Sequence, residues 1–286
     1  MSLKKSKKLS KRMGRGRMIA LYVVLILGSV MMLLPFIWMV STSFKAENDI
    51  FSIPINWIPR KITFDNYIKA LKVVPIAKNM LNTVFIAIPK ILGEVFVSAL
   101  VAFGFARFEF KGRNFLFMIL LATMMLPYEV TMIPTFMIWS NLGFSDSYVP
   151  LVLPAFCGSA SFIFFMRMYF ETIPKDYEEA AWLDGAKNLK VFYMIFIPMA
   201  KPALVTISLW SFMGTWNDLL GQLIYIDSQH KYTVQLALAS FSSMTGETLW
   251  GPLMAASCMA LIPIIALLLY AQKYFMEGIK LGGIKG

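Results

Sequence analysis

The chain has 286 residues, of which 58% are hydrophobic and only 15% are charged, whereas soluble domains carry about 25% charged residues. This apolar excess excludes an ordinary soluble protein and indicates that the chain is solvated by lipid. The formal net charge is +11, but the basic residues stand between long apolar runs and not in an aromatic groove, which argues against a nucleic-acid partner. The only histidine, His230, excludes a zinc site built on histidine ligands.

Six apolar stretches are long enough to form membrane-spanning helices, which need about 20 residues each. The first covers residues 18–44 and follows a basic N-terminal segment, 1–17. Its length and the lack of a small-residue cleavage site predict an uncleaved anchor and not a signal peptide. The other spans are predicted at 83–106, 115–139, 148–170, 203–226 and 253–274. The sequence therefore predicts an all-α membrane bundle of six transmembrane helices, with a five-span core at 83–274.

The distribution of basic residues predicts how the chain is oriented in the membrane. With the N-terminus inside, 19 of the 27 basic residues lie in inner segments and 7 lie in outer segments. Because cytoplasmic loops are enriched in lysine and arginine, this bias predicts that both termini are cytoplasmic. The outer segment 45–82 is predicted to contain a short helix near Asp65, and residues 275–286 form a glycine-rich inner tail.

Motifs for nucleotide binding and hydrolysis are missing from the sequence. It contains no G-x-x-x-x-G-K-[ST] phosphate loop, no G-x-S-x-G and no H-E-x-x-H. No set of nucleophile, base and metal ligands converges, which argues against a membrane-embedded enzyme. The sequence therefore predicts passage across the membrane and not a reaction, with no cofactor in this chain.

Residues 171–200, between the fourth and fifth predicted spans, form a distinctive inner loop. Asp176, Glu178 and Glu179 load the first turn of a short helix with negative charge, which complements the helix dipole. Gly185 can adopt the left-handed backbone conformation that ends this helix. A second helix is predicted from about Asn188 to a point near 198. By itself, this pattern is compatible with an ordinary amphipathic loop helix as well as with a docking element.

The spacing of this loop resembles the EAA loop of ATP-binding-cassette (ABC) importer permeases. The matching residues are Glu179-Ala180-Ala181, Gly185, Ile195 and Ile197-Pro198, with isoleucine at 197 in place of the more usual leucine. Similar segments elsewhere include Trp216-Asn217-Asp218 and the tail from Gly278 to Gly286. Together they make the chain similar to the carbohydrate-uptake permeases of the maltose-transporter type, and specifically to the smaller of their two paired permeases.

This resemblance implies a set of partners in a bacterial or archaeal plasma (inner) membrane. They are a homologous permease subunit, two ATPase subunits that hold ATP and Mg²⁺, and an extracytoplasmic sugar-binding protein. The ATPases would dock on Tyr177, Glu179, Ala180, Ala181, Asp184 and Gly185. They would also contact the tail at Gly282, Gly283, Lys285 and Gly286, for which a frayed end is the alternative.

The function implied by the resemblance is inward movement of a sugar, and more specifically an oligosaccharide, by alternating access. Amino-acid and phosphate permeases share the EAA loop, but the tail and the Trp-Asn-Asp segment favour a carbohydrate. An ion-coupled secondary transporter is the alternative, because it would use carboxylates within the membrane as proton or sodium sites. It does not account for the EAA loop.

Polar residues inside the predicted spans are candidates for a substrate path, because charges at bilayer depth usually face the bundle interior. These candidates are Glu94, Glu129, Trp216, Asn217 and Asp218. Carboxylates and amides would bind sugar hydroxyls, and an aromatic ring would cover an apolar sugar face. The alternatives are a structural Lys90–Glu94 (i, i+4) ion pair, a gating role for the Trp-Asn-Asp segment, and a partner permease that holds most of the substrate contacts.

Overall fold

The computed structural model describes residues 15–243 and 248–282, and all regular structure in this part of the chain is helical. The α-helices are α1 (Arg15–Ser43), α2 (Glu47–Ile50), α3 (Asp65–Val73), α4 (Ile76–Arg107), α5 (Arg113–Thr123), α6 (Tyr128–Asn141), α7 (Val149–Val152), α8 (Ala160–Glu171), α9 (Asp176–Leu183), α10 (Asn188–Val191), α11 (Ile197–Met199), α12 (Lys201–Trp216), α13 (Leu220–Tyr225), α14 (Val234–Ser243) and α15 (Trp250–Gly282). The remaining helical turns are two 3-10 turns, Leu153–Cys157 and Gln229–Lys231, and a π-helical turn, Phe192–Phe196.

The described helices include four that are long and apolar enough to cross a membrane. They are Gly16–Ser43, Ile76–Arg107, Val149–Glu171 and Trp250–Lys273, and the number rises to six if each of two bent helix pairs counts as one span. The all-α prediction is therefore confirmed, whereas the count of six spans stays a prediction.

The third and fifth predicted spans are not continuous helices, which corrects the sequence prediction. Within 115–139 the chain forms α5 and α6, which are bent by 92° at their junction. The break has a local cause, since Pro127 lacks an N–H donor, lies in extended conformation and disfavours a helical residue before it. Within 203–226, α12 ends at Trp216 and α13 begins at Leu220; the other bent pair joins Asn188–Met199 to α12 at 80°.

The chain divides into two compact units, and the first contains the described residues 15–73 and 248–259. In this unit Asn66 of α3 holds the end of α1, because its side-chain amide donates to the carbonyls of Ser43 at 3.1 Å and Lys45 at 2.7 Å. These carbonyls are left without partners when a helix ends. A Cβ on Gly251 would lie 2.5 Å from the Asn66 carbonyl oxygen, so this close approach requires glycine.

The second unit contains the described residues 74–243 and 260–282, and its core surrounds α4. Helix α4 packs against α8, α12, α14 and the 3-10 turn Leu153–Cys157. Phe103 of α4 lies in an aromatic cluster, with ring centroids 4.8 Å from Phe196, 5.2 Å from Phe192 and 6.3 Å from Phe170. The C-terminal end of α4 is thereby packed against α8 and against the segment that follows the EAA loop helix.

Candidate functional site

The EAA loop folds as a short helix, a sharp turn and a second helical segment. Helix α9 has acidic residues in its first turn and ends where Gly185 takes φ +77°. At that turn the Gly185 N–H donates to the Trp182 carbonyl at 3.0 Å, and the Ala186 N–H donates to the Ala181 carbonyl at 2.9 Å. This backbone conformation suits glycine because a side chain would be strained there. The sequence prediction of a left-handed stop at Gly185 is confirmed.

Most of the predicted docking residues of this loop are exposed on the protein surface. Tyr177 is 52% exposed, Glu179, Ala180, Asp184 and Gly185 are exposed, and Ala181 is half-buried. Large apolar side chains accompany them, since Leu183 is 90% exposed and Trp182 and Leu189 are also exposed. Several exposed large apolar side chains on one short loop are typical of a protein-interaction surface.

Glu178 is the buried residue of helix α9. It is buried beside Arg107, the last residue of α4, with 3.4 Å between Glu178 Oε1 and Arg107 Nη1 and each side chain 4% exposed. Burial raises the pKa of the Glu178 carboxyl above its ordinary value, and the neighbouring Arg107 opposes that shift. Helix α9 therefore has one buried anchor, and its other residues are exposed or half-buried.

A polar cavity of about 360 Å³ lies in the second unit. Its lining includes three charged residues and two tyrosines, namely Lys90, Glu94, Asp218, Tyr128 and Tyr225. Glu94 accepts a hydrogen bond from the Ser211 hydroxyl at 2.6 Å, and Asp218 accepts one from the Gly221 N–H at 2.9 Å. Within the described residues Lys90 and Glu94 form no ion pair, so the proposed (i, i+4) pair is not made.

The structure brings together two of the five predicted substrate-path residues. Glu94 and Asp218 line the cavity with Lys90, whereas Glu129, Trp216 and Asn217 are absent from its lining. Glu129 and Asn217 are exposed elsewhere. Trp216 is 1% exposed and stacks on Phe212 at 5.2 Å, so its ring packs within the protein and does not face the cavity.

A second polar network, missed by the sequence analysis, joins the turn before α7 to the segment between α13 and α14. The Asp146 carboxylate accepts hydrogen bonds from the N–H groups of Asp227 and Ser228 at 3.0 Å each, from the Ser228 hydroxyl at 2.7 Å and from Lys231 Nζ at 2.8 Å. These hydrogen bonds, that from Lys231 first, hold the pKa of Asp146 well below its ordinary range.

Asp146 also takes φ +48°, a left-handed conformation that aspartate tolerates better than most residues. The sequence signal for it was weak, because Asp146 and Lys231 lie 85 positions apart. The contact between Arg107 and Glu178 was missed for the same reason, since 71 positions separate the two residues. In the sequence, Arg107 was only one of the basic residues that predict the membrane orientation.

Some predictions concern residues or groups that the structure does not place. Helix α15 continues to Gly282, while Gly283, Lys285 and Gly286 of the tail lie outside the described residues. Among residues 15–243 and 248–282, no group of three or more His, Cys, Asp or Glu side chains lies close enough to hold a metal ion.

These features describe a helical membrane protein with a cavity lined by charged residues and with an exposed loop helix, as is typical of transport permeases. The family of binding-protein-dependent transport system inner membrane components matches residues 94–280, which include the cavity charge Glu94 and the whole EAA loop. The chain belongs to this family. It is a permease subunit of an ABC importer and is not itself the ATPase.

Individual relatives agree with this assignment over most of their lengths. The chain is 36% identical to "Probable ABC transporter permease protein YurM" of Bacillus subtilis, over 93% of this chain and 88% of that protein. It is 31% identical to the trehalose/maltose transport system permease protein MalG of Thermococcus litoralis, over 92% and 97% of the two chains. A crystal structure of a bacterial ABC transporter that imports the acidic polysaccharide alginate matches with a TM-score of 0.80, at 26% identity over 92% of this chain and 99% of that chain.

Proposed function

We propose that this permease subunit moves a sugar, and more specifically an oligosaccharide, into the cell, driven by ATPase subunits that dock on its EAA loop. The observation that carries the proposal is the exposed surface of α9 in a chain of the binding-protein-dependent family. The sugar is supported by two similar proteins, one named for trehalose and maltose transport and the other described as importing alginate. The ion-coupled alternative receives no support from these similarities.

The partners follow from the same family. A homologous permease subunit would complete the transmembrane part, and a sugar-binding protein would deliver the sugar from outside. Two ATPase subunits would hold ATP and Mg²⁺, and hydrolysis there would supply the energy for transport. This chain contributes the exposed side chains Tyr177, Glu179 and Leu183 of α9 as a docking surface. The left-handed turn at Gly185 sets the direction in which the chain continues after α9.

The orientation is part of the proposal. If α9 meets the ATPases, the EAA loop is cytoplasmic, and the bias of 19 inner against 7 outer basic residues then places both termini in the cytoplasm. The Asp146–Lys231 network would consequently lie on the outer side, where the sugar-binding protein docks.

The polar cavity supports a path for a hydroxyl-rich ligand through this subunit. Glu94 and Asp218 offer carboxylate oxygens as hydrogen-bond acceptors, and Tyr128 and Tyr225 offer hydroxyl groups beside aromatic faces. A volume of about 360 Å³ is at the lower end of ligand sites, which range over about 300–1,000 Å³. The partner permease would provide the rest of the path.

The test is ATP hydrolysis by the complex that copurifies with this chain, measured with a panel of sugars and with the cognate binding protein. One sugar should stimulate hydrolysis, and the same sugar should enter proteoliposomes. Gly185→Pro, which cannot adopt φ +77°, and Glu179→Lys should uncouple ATP use from transport while membrane insertion is retained.

Glu109→Lys is the matched control, because Glu109 is an exposed carboxylate of the loop between α4 and α5. It should leave transport unchanged. Wild-type transport rates in both EAA-loop variants would refute the docking role, and purification without any ATPase or nucleotide response would refute the importer itself.

A further inference from the structure

Arg107 connects the end of α4 to the end of α8. Its Nη2 donates to the carbonyl of Phe170 at 2.7 Å and to that of Ile173 at 2.5 Å. The Phe170 carbonyl lies in the last turn of α8, where it also accepts a hydrogen bond from the Ile173 N–H at 3.0 Å. The Ile173 carbonyl lies just after that turn, where a helix end leaves carbonyl groups short of backbone donors. Arg107 therefore serves as a side-chain cap for α8 although it belongs to α4.

The same guanidinium group reaches two further segments. Its Nη1 lies 3.4 Å from Glu178 Oε1 in the first turn of α9, and its Cζ lies 4.8 Å from the ring centroid of Phe196 in the π-helical turn. A guanidinium is planar and holds its donors in a fixed fork, so it can fix several partners in one geometry. One side chain thus joins α4, α8, α9 and the segment that leads into α12.

Stability alone is a poor explanation for this buried pair. A buried ion pair pays a large desolvation cost, and an apolar pair of similar size is often as stable. The hydrogen bonding is also incomplete, since Arg107 Nε and Glu178 Oε2 are buried without a hydrogen-bond partner in the part of the chain that the structure describes. What the pair provides is a fixed position for α9, next to the predicted docking residues, which are exposed or half-buried.

We propose that Arg107 is a positioning residue that makes α4 and the EAA loop helix α9 move as one body during transport. This inference rests on the proposed docking of ATPases on α9. Helix α4 also carries Lys90 and Glu94 of the cavity, and no proline interrupts it between Glu94 and Arg107. That stretch is about 20 Å long at 1.5 Å per residue, so a stiff helix links the docking loop to the cavity.

Arg107→Lys tests this role because lysine keeps the charge but lacks the fork that reaches two carbonyls and a carboxylate together. The measurement is the number of sugar molecules transported per ATP hydrolysed by the full complex in proteoliposomes. The ratio should fall about fivefold or more, the lower end of typical coupling between two sites, while hydrolysis continues. A merely structural role would lower transport and hydrolysis in proportion and would leave the ratio unchanged.

Arg113→Lys is the matched control, because Arg113 Nη1 donates only to the nearby Phe108 carbonyl at 3.3 Å among the hydrogen bonds of described residues. It should keep the wild-type ratio. Glu178→Gln keeps the size of the side chain and removes its charge, so it should lower the ratio by less, and the double variant should be no worse than Arg107→Lys alone. If Arg107→Lys fails to insert into the membrane, Glu178→Gln replaces it as the test variant. Its control is then Glu171→Gln, which alters the partly exposed Arg167–Glu171 pair.

The inference is overturned if Arg107→Lys, or Glu178→Gln in its place, keeps the same transport ratio as its control. Failure of the proposed function would look different, because the wild-type complex itself would then show no sugar-stimulated hydrolysis.

Discussion

Asp146 offers the sharpest test of the energetics, because the four hydrogen bonds of its carboxylate and the strain of its backbone can be separated by substitution. Asp146→Ala removes all four contacts and leaves a residue with a Cβ at φ +48°. Asp146→Gly removes the same contacts but relieves the strain. Asp146→Asn retains a neutral acceptor and tolerates the left-handed conformation.

The magnitudes follow from these contacts. Hydrogen bonds to a charged group contribute about 1.5–3 kcal/mol each when buried, but the Asp146 side chain is 26% exposed and water replaces part of what is lost. We therefore expect local opening of the 226–233 segment to become easier by about 2–3 kcal/mol in the alanine variant, of which about 1 kcal/mol is strain. The expected costs are about 1–2 kcal/mol for glycine and about 1 kcal/mol for asparagine.

Hydrogen exchange of peptides that cover residues 226–233, read by mass spectrometry on the assembled complex, measures this opening. A cost of about 2 kcal/mol corresponds to roughly 30-fold faster exchange of the Asp227 and Ser228 amides. Asp227→Ala is the control, since its exposed side chain is not part of the network. The reasoning fails if Asp146→Ala exchanges at the rate of this control, or if glycine is worse than alanine.

The pH dependence of hydrogen exchange provides a second test of the Asp146 network. Because the pKa of folded Asp146 is held below its ordinary value, its stabilisation is complete above the pKa of the opened segment, about 4, and is lost as the pH falls below that value. Exchange attributable to Asp146 should thus stay constant between pH 5 and 8 after correction for the intrinsic rate. It should accelerate below pH 4 in the wild type but not in Asp146→Asn.

Two further predictions concern the cavity and the core. Glu94→Gln, which alters the cavity lining, should raise the KM for transported sugar about tenfold, whereas Glu129→Gln should leave it unchanged; equal effects would contradict the assignment of Glu94 to the cavity. Gly93→Ala should destabilise the subunit by about 1–3 kcal/mol, because its Cβ would lie 2.9 Å from the Phe156 ring. Gly104→Ala on the same helix meets no neighbour within 4 Å, so its melting temperature should match or exceed that of the wild type, and an equal loss in both variants would refute the steric argument.

The sequence by itself determined those properties that arise from local chemistry. The apolar excess required a membrane and helices within it, since each backbone group must then be bonded inside its own segment. The turn at Gly185 was also predictable, because a helix that ends in a left-handed residue favours glycine. The EAA spacing identified the class of protein, and the family match supports it.

The tertiary structure alone decided which distant residues meet. The sequence shows Pro127, which interrupts a helix, but it does not give the size of the bend. The structure shows that α5 and α6 are bent by 92° at this point. Lys90 and Glu94 had the spacing of an ion pair, yet Glu94 bonds Ser211, which lies 117 positions away. Arg107 with Glu178 and Asp146 with Lys231 are likewise contacts across 71 and 85 positions. Local pattern carries no information on such pairs, because they form only when distant segments of the chain pack side by side.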